Sequence, residues 1–135
     1  MGCDIHLADY QDFFKNRDYS VFAFLAGVRN RDNIIPISPP RGLPEDLKCP
    51  EFEYQGGFDV GQNHERDHMV SLFGTDDLHN ISWLTTEELV NFNYARPINS
   101  RLCINYKVYL GPWYFEELDR LVASGETRIV FGFDS

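Results

Sequence analysis

The first residues alternate. Cys3, Ile5 and Leu7 fall on one face of an extended chain and Asp4 and His6 on the other, which predicts a strand over Met1 to Ala8. Asp9 to Arg17 is polar apart from two phenylalanines and reads as a loop or a short turn of helix. Asp18 suits an N-cap, with Val21, Phe22 and Leu25 as the apolar stripe of a helix from Tyr19 to about Ala26 and Gly27 to end it. Ile34 to Pro44 contains Pro36, Pro39, Pro40 and Pro44 together with Gly42. Proline offers no amide donor, so this rigid, extended connection must run along the surface or edge a sheet. Pro44-Glu45-Asp46 suits the start of a short helix.

Glu51 to Gly74 has Gly56, Gly57, Gly61 and Gly74 but no sustained periodicity, and reads as mostly loop. Ser82-Trp83-Leu84-Thr85 leads into a helix start. Thr85 and Glu88 form a capping box, and Leu89, Val90 and Phe92 supply an apolar face. Arg101 to Leu110 reads as a strand with mixed faces. Gly111-Pro112 opens a helix from Trp113 to Ser124, with Phe115, Leu118, Leu121 and Val122 turned inward and Gly125 closing it. Thr127 to Asp134 is a final strand with Ile129, Phe131 and Phe133 on one face. Strands at both ends with helices between them predict an α+β fold. The expectation is a single compact domain with a small, mostly antiparallel sheet, formed by the N- and C-terminal strands and packed by about three helices. Pairing those two strands would bring Asp4, His6 and Asp134 toward one sheet.

Composition supports a packed core. Of 135 residues, 43% are hydrophobic and 15% aromatic, with 11 Phe and 7 Tyr. No apolar run approaches the ~20 residues that span a bilayer. Asp4 and His6 interrupt any signal-peptide pattern at once, so a cytoplasmic protein without membrane attachment is expected. Cys3, Cys49 and Cys103 are too widely and irregularly spaced for a disulfide framework or a sulfur-based zinc ribbon. The net charge of −9 disfavours direct nucleic-acid binding and anionic membranes. It suits solubility, permits an acidic decoy for a basic partner, and leaves room for a small anionic ligand in a pocket of local opposite sign.

The candidate chemistry centres on two Asp-x-His segments, Asp4-Ile5-His6 and Asp77-Leu78-His79. Residues two apart on an extended chain share a face, so each segment aims a carboxylate and an imidazole at one spot. Asp4, His6 and His79, with Asp77, would suit a divalent metal such as Zn²⁺, Mn²⁺ or Fe²⁺ with a position open for water. Without metal the same groups are a general acid and base. The alternative is a satisfied, half-buried His6 and an Asp77 that caps a turn. His64-Glu65-Arg66-Asp67-His68 matches the H-E-x-x-H metalloprotease pattern, but charged middle positions and loop-like Gly61-Gln62-Asn63 upstream mark it as a chance match in a polar turn. Cys3 belongs to the core face, opposite His6, although a bend at Gly2 would let the two share a metal. Position six is His6, so the myristoylation pattern fails at Gly2-Cys3. Arg41, in Pro39-Pro40-Arg41-Gly42-Leu43-Pro44, is either an anion clamp or a structural arginine of a proline-rich turn.

Several blocks carry a resemblance. They are Met1 to His6, Arg17-Asp18-Tyr19, Leu25-Ala26-Gly27-Val28-Arg29-Asn30, Pro36-Ile37, and Pro40-Arg41-Gly42-Leu43-Pro44. The set continues with Asp77-x-His79, Ser82-Trp83-Leu84-Thr85, Arg128-Ile129-Val130-Phe131 and Phe133-Asp134. The chain resembles a family of uncharacterised bacteriophage and prophage proteins whose members open with Met-Gly-Cys-Asp-Ile-His. Members often read Asp-Gly-His-Ser where this chain has Leu78 and Asn80, and Glu51 to Gly74 has no counterpart. The resemblance implies a phage setting, with the host cytosol as compartment, and no particular reaction. It also implies that the first strand, the proline-rich loop and the Asp77-to-Trp83 turn converge. Two expectations follow. One is a metal-dependent hydrolase acting on a nucleotide or phosphodiester, with Asp4, His6, Asp77 and His79 as ligands or acid–base groups and Arg41 on the anion. The other is a non-catalytic accessory or anti-defence protein that binds a host protein or sequesters a nucleotide.

Overall fold

The computed structural model of the chain describes residues 2–8, 11–47 and 78–134. Asp77, the Glu51-to-Gly74 stretch, Cys49 and the H-E-x-x-H match lie outside the described residues. The fold is α+β. Three strands form an antiparallel sheet, β1 (Ile5–Leu7), β2 (His79–Thr85) and β3 (Arg128–Phe133), in the order β1-β3-β2. The N- and C-terminal strands pair as expected, with Ile5 opposite Phe133, His6 opposite Gly132 and Leu7 opposite Phe131. Among the described residues there are four α-helices: α1 (Tyr19–Ala26), α2 (Thr86–Asn91), α3 (Tyr106–Leu110) and α4 (Pro112–Ser124). A 3₁₀ turn at Glu45–Leu47 follows Pro44. No helix among the described residues is long and apolar enough to cross a membrane.

Local signals account for the helix ends. Asp18 accepts from the Ser20 and Val21 amides at the start of α1, and Gly27, at φ 73°, closes it in the left-handed region. Thr85 and Glu88 complete the capping box of α2. The α1 helix is buried from Val21 to Ala26, so it is the central rod of the core rather than a surface helix with one apolar stripe. Phe24 stands at its centre, edge-on to Phe92, Tyr106 and Tyr114 with ring centroids 5.0, 5.6 and 5.6 Å away. Cys3, Ile5, Leu7, Ile129, Phe131 and Phe133 bring the sheet's inner face onto this core. The opposite face carries a smaller apolar cluster of Ala8, Leu47, Leu78 and Val130 with Ile81 and Trp83 against it.

Two segments differ from expectation. Residues 101–110 do not form a strand: the chain stays irregular to Asn105, whose side chain accepts from the Val108 amide and starts α3. Tyr106 and Leu110 are its buried residues, a spacing of four that places them on one helical face. His79 to Thr85 is a strand, not marked in the sequence pattern, and it leads directly into α2 at Thr86. Its register with β3 shifts between His79 and Ser82, and Asn80 takes φ 50°. That bulge breaks the alternation that marks a strand in sequence. The proline-rich connection edges the sheet as expected, since the Gly42 amide donates to the Ile81 carbonyl at 2.8 Å and covers the outer side of β2.

Candidate functional site

Strand β1 turns His6 and its neighbours outward at the end of the sheet where β3 finishes. The His6 Nε2–H donates to Asp134 Oδ2 at 2.7 Å. The second oxygen of Asp134 accepts from the Asp4 amide at 2.9 Å, and the Asp134 amide donates to the Asp4 carbonyl at 3.0 Å. Asp134 is thus fixed by backbone before it meets the imidazole. The Asp4 carboxylate receives a fork from Arg17, Nε to Oδ1 at 2.9 Å and Nη2 to Oδ2 at 3.1 Å. Arg17 lies against the bare Cα of Gly2, where a Cβ would come within 2.2 Å of Nη1. A side chain at this position would push the flexible end of Arg17 aside.

The cluster runs Arg17, Asp4, His6, Asp134 and sits at the surface, with His6 and Asp134 side chains 35% and 39% exposed. Arg17 holds the Asp4 carboxyl below the usual carboxylate range, and the His6 bond followed by the Asp4 amide does the same for Asp134. Both carboxylates are therefore ionised at neutral pH and orient their partners without taking protons.

The remaining candidates lie elsewhere. His79 stands opposite Phe133 on β3, as Ile5 does from the other side, so the Cα atoms of Ile5 and His79 are about two strand spacings, ~10 Å, apart. Directly paired residues share a face, and the His79 ring lies 6.4 Å from that of core-facing Phe133. His6, one residue along from Ile5, points to the opposite face. The two imidazoles share an end of the sheet but do not face each other. Among the described residues no group of three His, Cys, Asp or Glu side chains is drawn together closely enough to hold a metal ion. The Nδ1 of His79 meets Asn80 Oδ1 at 3.1 Å. Asn80 in turn donates to the Ala26 carbonyl at the end of α1, so the bulge ties β2 to the central helix.

Arg41 is engaged by groups of the fold itself. Its guanidinium forks onto Glu88 at 2.8 and 2.5 Å, donates to the Trp83 carbonyl and stacks over the Trp83 ring at 4.6 Å. Glu88 is drawn down to about 2 by Arg41, against the cost of partial burial and with further help from Thr85. Cys3 is fully buried, and burial pushes its thiol up despite Arg29 beside it. It belongs to the core and faces away from His6, as the alternation implied.

Arg17 and Asp134 complete the site, yet neither stood among the sequence candidates for chemistry. Asp134 was approachable through the pairing of the outer strands. Arg17 carries no local signal, because its contact with Asp4 depends on how the loop after β1 returns. Compared with protein-family models, curated proteins and solved structures, the chain has no match.

Proposed function

We propose that the chain is a small phage-type hydrolase of the host cytosol in which His6 carries the proton during hydrolysis of a nucleotide or phosphodiester. The observation that carries this reading is the His6–Asp134 pair at 2.7 Å, anchored from behind by the Asp4 amide. A carboxylate on one ring nitrogen fixes the imidazole's orientation and leaves Nδ1 as the nitrogen that exchanges a proton with substrate or water. Arg17, half exposed beside the pair, supplies a cation to which an anionic substrate is drawn. Asp77 is a further carboxylate close in sequence to His79, and a divalent metal such as Zn²⁺ or Mn²⁺ belongs in the test for that reason.

The test is hydrolysis of a chromogenic phosphodiester and a panel of mono- and cyclic nucleotides by the full chain, with and without added Zn²⁺ or Mn²⁺. His6→Ala should lower turnover by about 10²–10⁴-fold. Absence of turnover in every condition, or equal turnover by His6→Ala, overturns the reading. A non-catalytic accessory role is favoured by a different observation: the cluster's charged groups already satisfy one another, on a chain of net charge −9. A thermal shift produced by a nucleotide that is never turned over would select sequestration. Capture of a basic host protein would select the decoy.

A further inference from the structure

Asp4 serves the cluster twice, with different atoms. Its main chain holds the site together: the amide donates to Asp134 Oδ1 at 2.9 Å, and the carbonyl accepts the Asp134 amide at 3.0 Å. Those two bonds fix the carboxylate that receives His6 Nε2 at 2.7 Å. The Asp4 side chain takes no part in them. Among the described residues its oxygens accept from Arg17 alone, Nε to Oδ1 at 2.9 Å and Nη2 to Oδ2 at 3.1 Å. Opening that fork would leave the His6–Asp134 pair and its backbone anchor intact.

The fork is also cheap to open. The Arg17 and Asp4 side chains are 52% and 50% exposed, and a pair so well solvated contributes little to the fold. The Nη1 end of the guanidinium lies against Gly2, which leaves the Nε–Nη2 edge for a two-pronged acceptor, and Asp4 fills it. Carboxylate and phosphate both accept such a fork through two oxygens, so the Asp4 carboxylate stands where the oxygens of an anion would sit. Asp134 is the other carboxylate whose charge reaches Arg17. It stays where it is when Asp4 lets go, so an incoming anion meets one negative side chain at Arg17 instead of two.

We infer that the Asp4 carboxylate is an internal competitor for Arg17, displaced by a phosphate group or phosphate ester that takes over the same fork beside His6. The phosphate ester is the substrate class of the hydrolytic reading, on which this step of recognition rests. Binding exchanges one anion for another on a single guanidinium. Affinity is therefore low in the wild type and rises when residue 4 loses its charge.

The experiment titrates inorganic phosphate into the full chain and follows the His6 and Asp134 amide signals by NMR, with chloride at matched ionic strength as the control. Asp4→Asn retains the side-chain shape and both main-chain bonds. It should bind phosphate about 2–5-fold more tightly than the wild type, the factor that removal of an exposed ion pair allows. Asp4→Ala replaces it if the asparagine variant fails to fold. Adding Arg17→Gln to Asp4→Asn should abolish the gain. Equal phosphate affinity in wild type and Asp4→Asn overturns the proposal, as does a gain that survives Arg17→Gln or a response that chloride reproduces. Turnover assays separate this result from the hydrolytic reading. Tighter phosphate binding without turnover of any ester removes hydrolysis and leaves the competition standing. Turnover by a protein whose phosphate affinity is unchanged in Asp4→Asn removes the competition alone.

Discussion

Glu88 is the residue on which most local structure converges. One carboxylate caps α2 through the Thr85 amide and hydroxyl and receives the Arg41 fork. Glu88→Ala should cost up to about 1 kcal/mol, the scale of a partly exposed ion pair, because the Thr85 hydroxyl still accepts the backbone amide of residue 88. Its folded pKa of about 2 lies below the ordinary 4.5, so its contribution is complete above 4.5 and is lost as pH falls through about 2. Urea titrations of wild type and variant should accordingly differ at neutral pH and converge in strong acid. A difference that persists there would contradict the assigned contacts. Asp134 follows the same sign, being held down by His6 and the Asp4 amide. Asp134→Asn should speed amide hydrogen exchange in Ile5–Leu7 at neutral pH, by the several-fold that a loss of up to ~1 kcal/mol permits. It should have no such effect once acid has protonated the wild-type carboxylate. Equal exchange at neutral pH would mean that the pair does not fasten β1.

Among the elements, α1 and the loop before it organise the core. Phe24→Ala removes a ring that touches three other rings edge-on and should cost about 3–5 kcal/mol by chemical denaturation. A loss under ~1 kcal/mol would mean that the core closes over the gap. The loop turns at Phe14, which holds φ 58° while buried and stacked on Tyr114 at 5.3 Å. A bulky residue rarely adopts that conformation, and Glu117 secures it by accepting the Phe14 amide at 3.0 Å. Glu117 is itself buried and fixed by Arg120 at 2.8 Å. Glu117→Ala leaves a buried amide unpaired and should destabilise by about 1–3 kcal/mol, with Glu117→Gln retaining part of the loss as a remaining acceptor. Equal stability of the two variants would argue against this role. Legibility follows the range of the cause. The ends of α1 and α2 are readable because Asp18, Gly27, Thr85 and Glu88 act within a turn of themselves. The β2 strand is hidden because the bulge at Asn80 disrupts its alternation. Residues 101–110 mislead because the mixed polarity around Val108 conceals the helical spacing of Tyr106 and Leu110. At the site, Asp-x-His identified His6. Its partner Asp134 and the neighbour Arg17 depended on contacts 128 and 13 residues away in sequence, Asp134 with His6 and Arg17 with Asp4.

For the whole molecule, the order β1-β3-β2 is decisive, because β1 and β2 touch only through β3. What β1 and β2 contribute, His6 and His79 included, is brought into one sheet by the element nearest the C-terminal end of the described chain. During synthesis on the ribosome, α1, α2 and both outer strands emerge before their shared partner. Since chains lengthen at only ~5–20 residues per second, the nascent polypeptide waits with two unpaired strands until Arg128–Phe133 has been made. A messenger cut short before that point therefore yields a product in which neither the sheet nor the His6–Asp134 pair can form. Translation must run through the last strand before the cluster at its end exists.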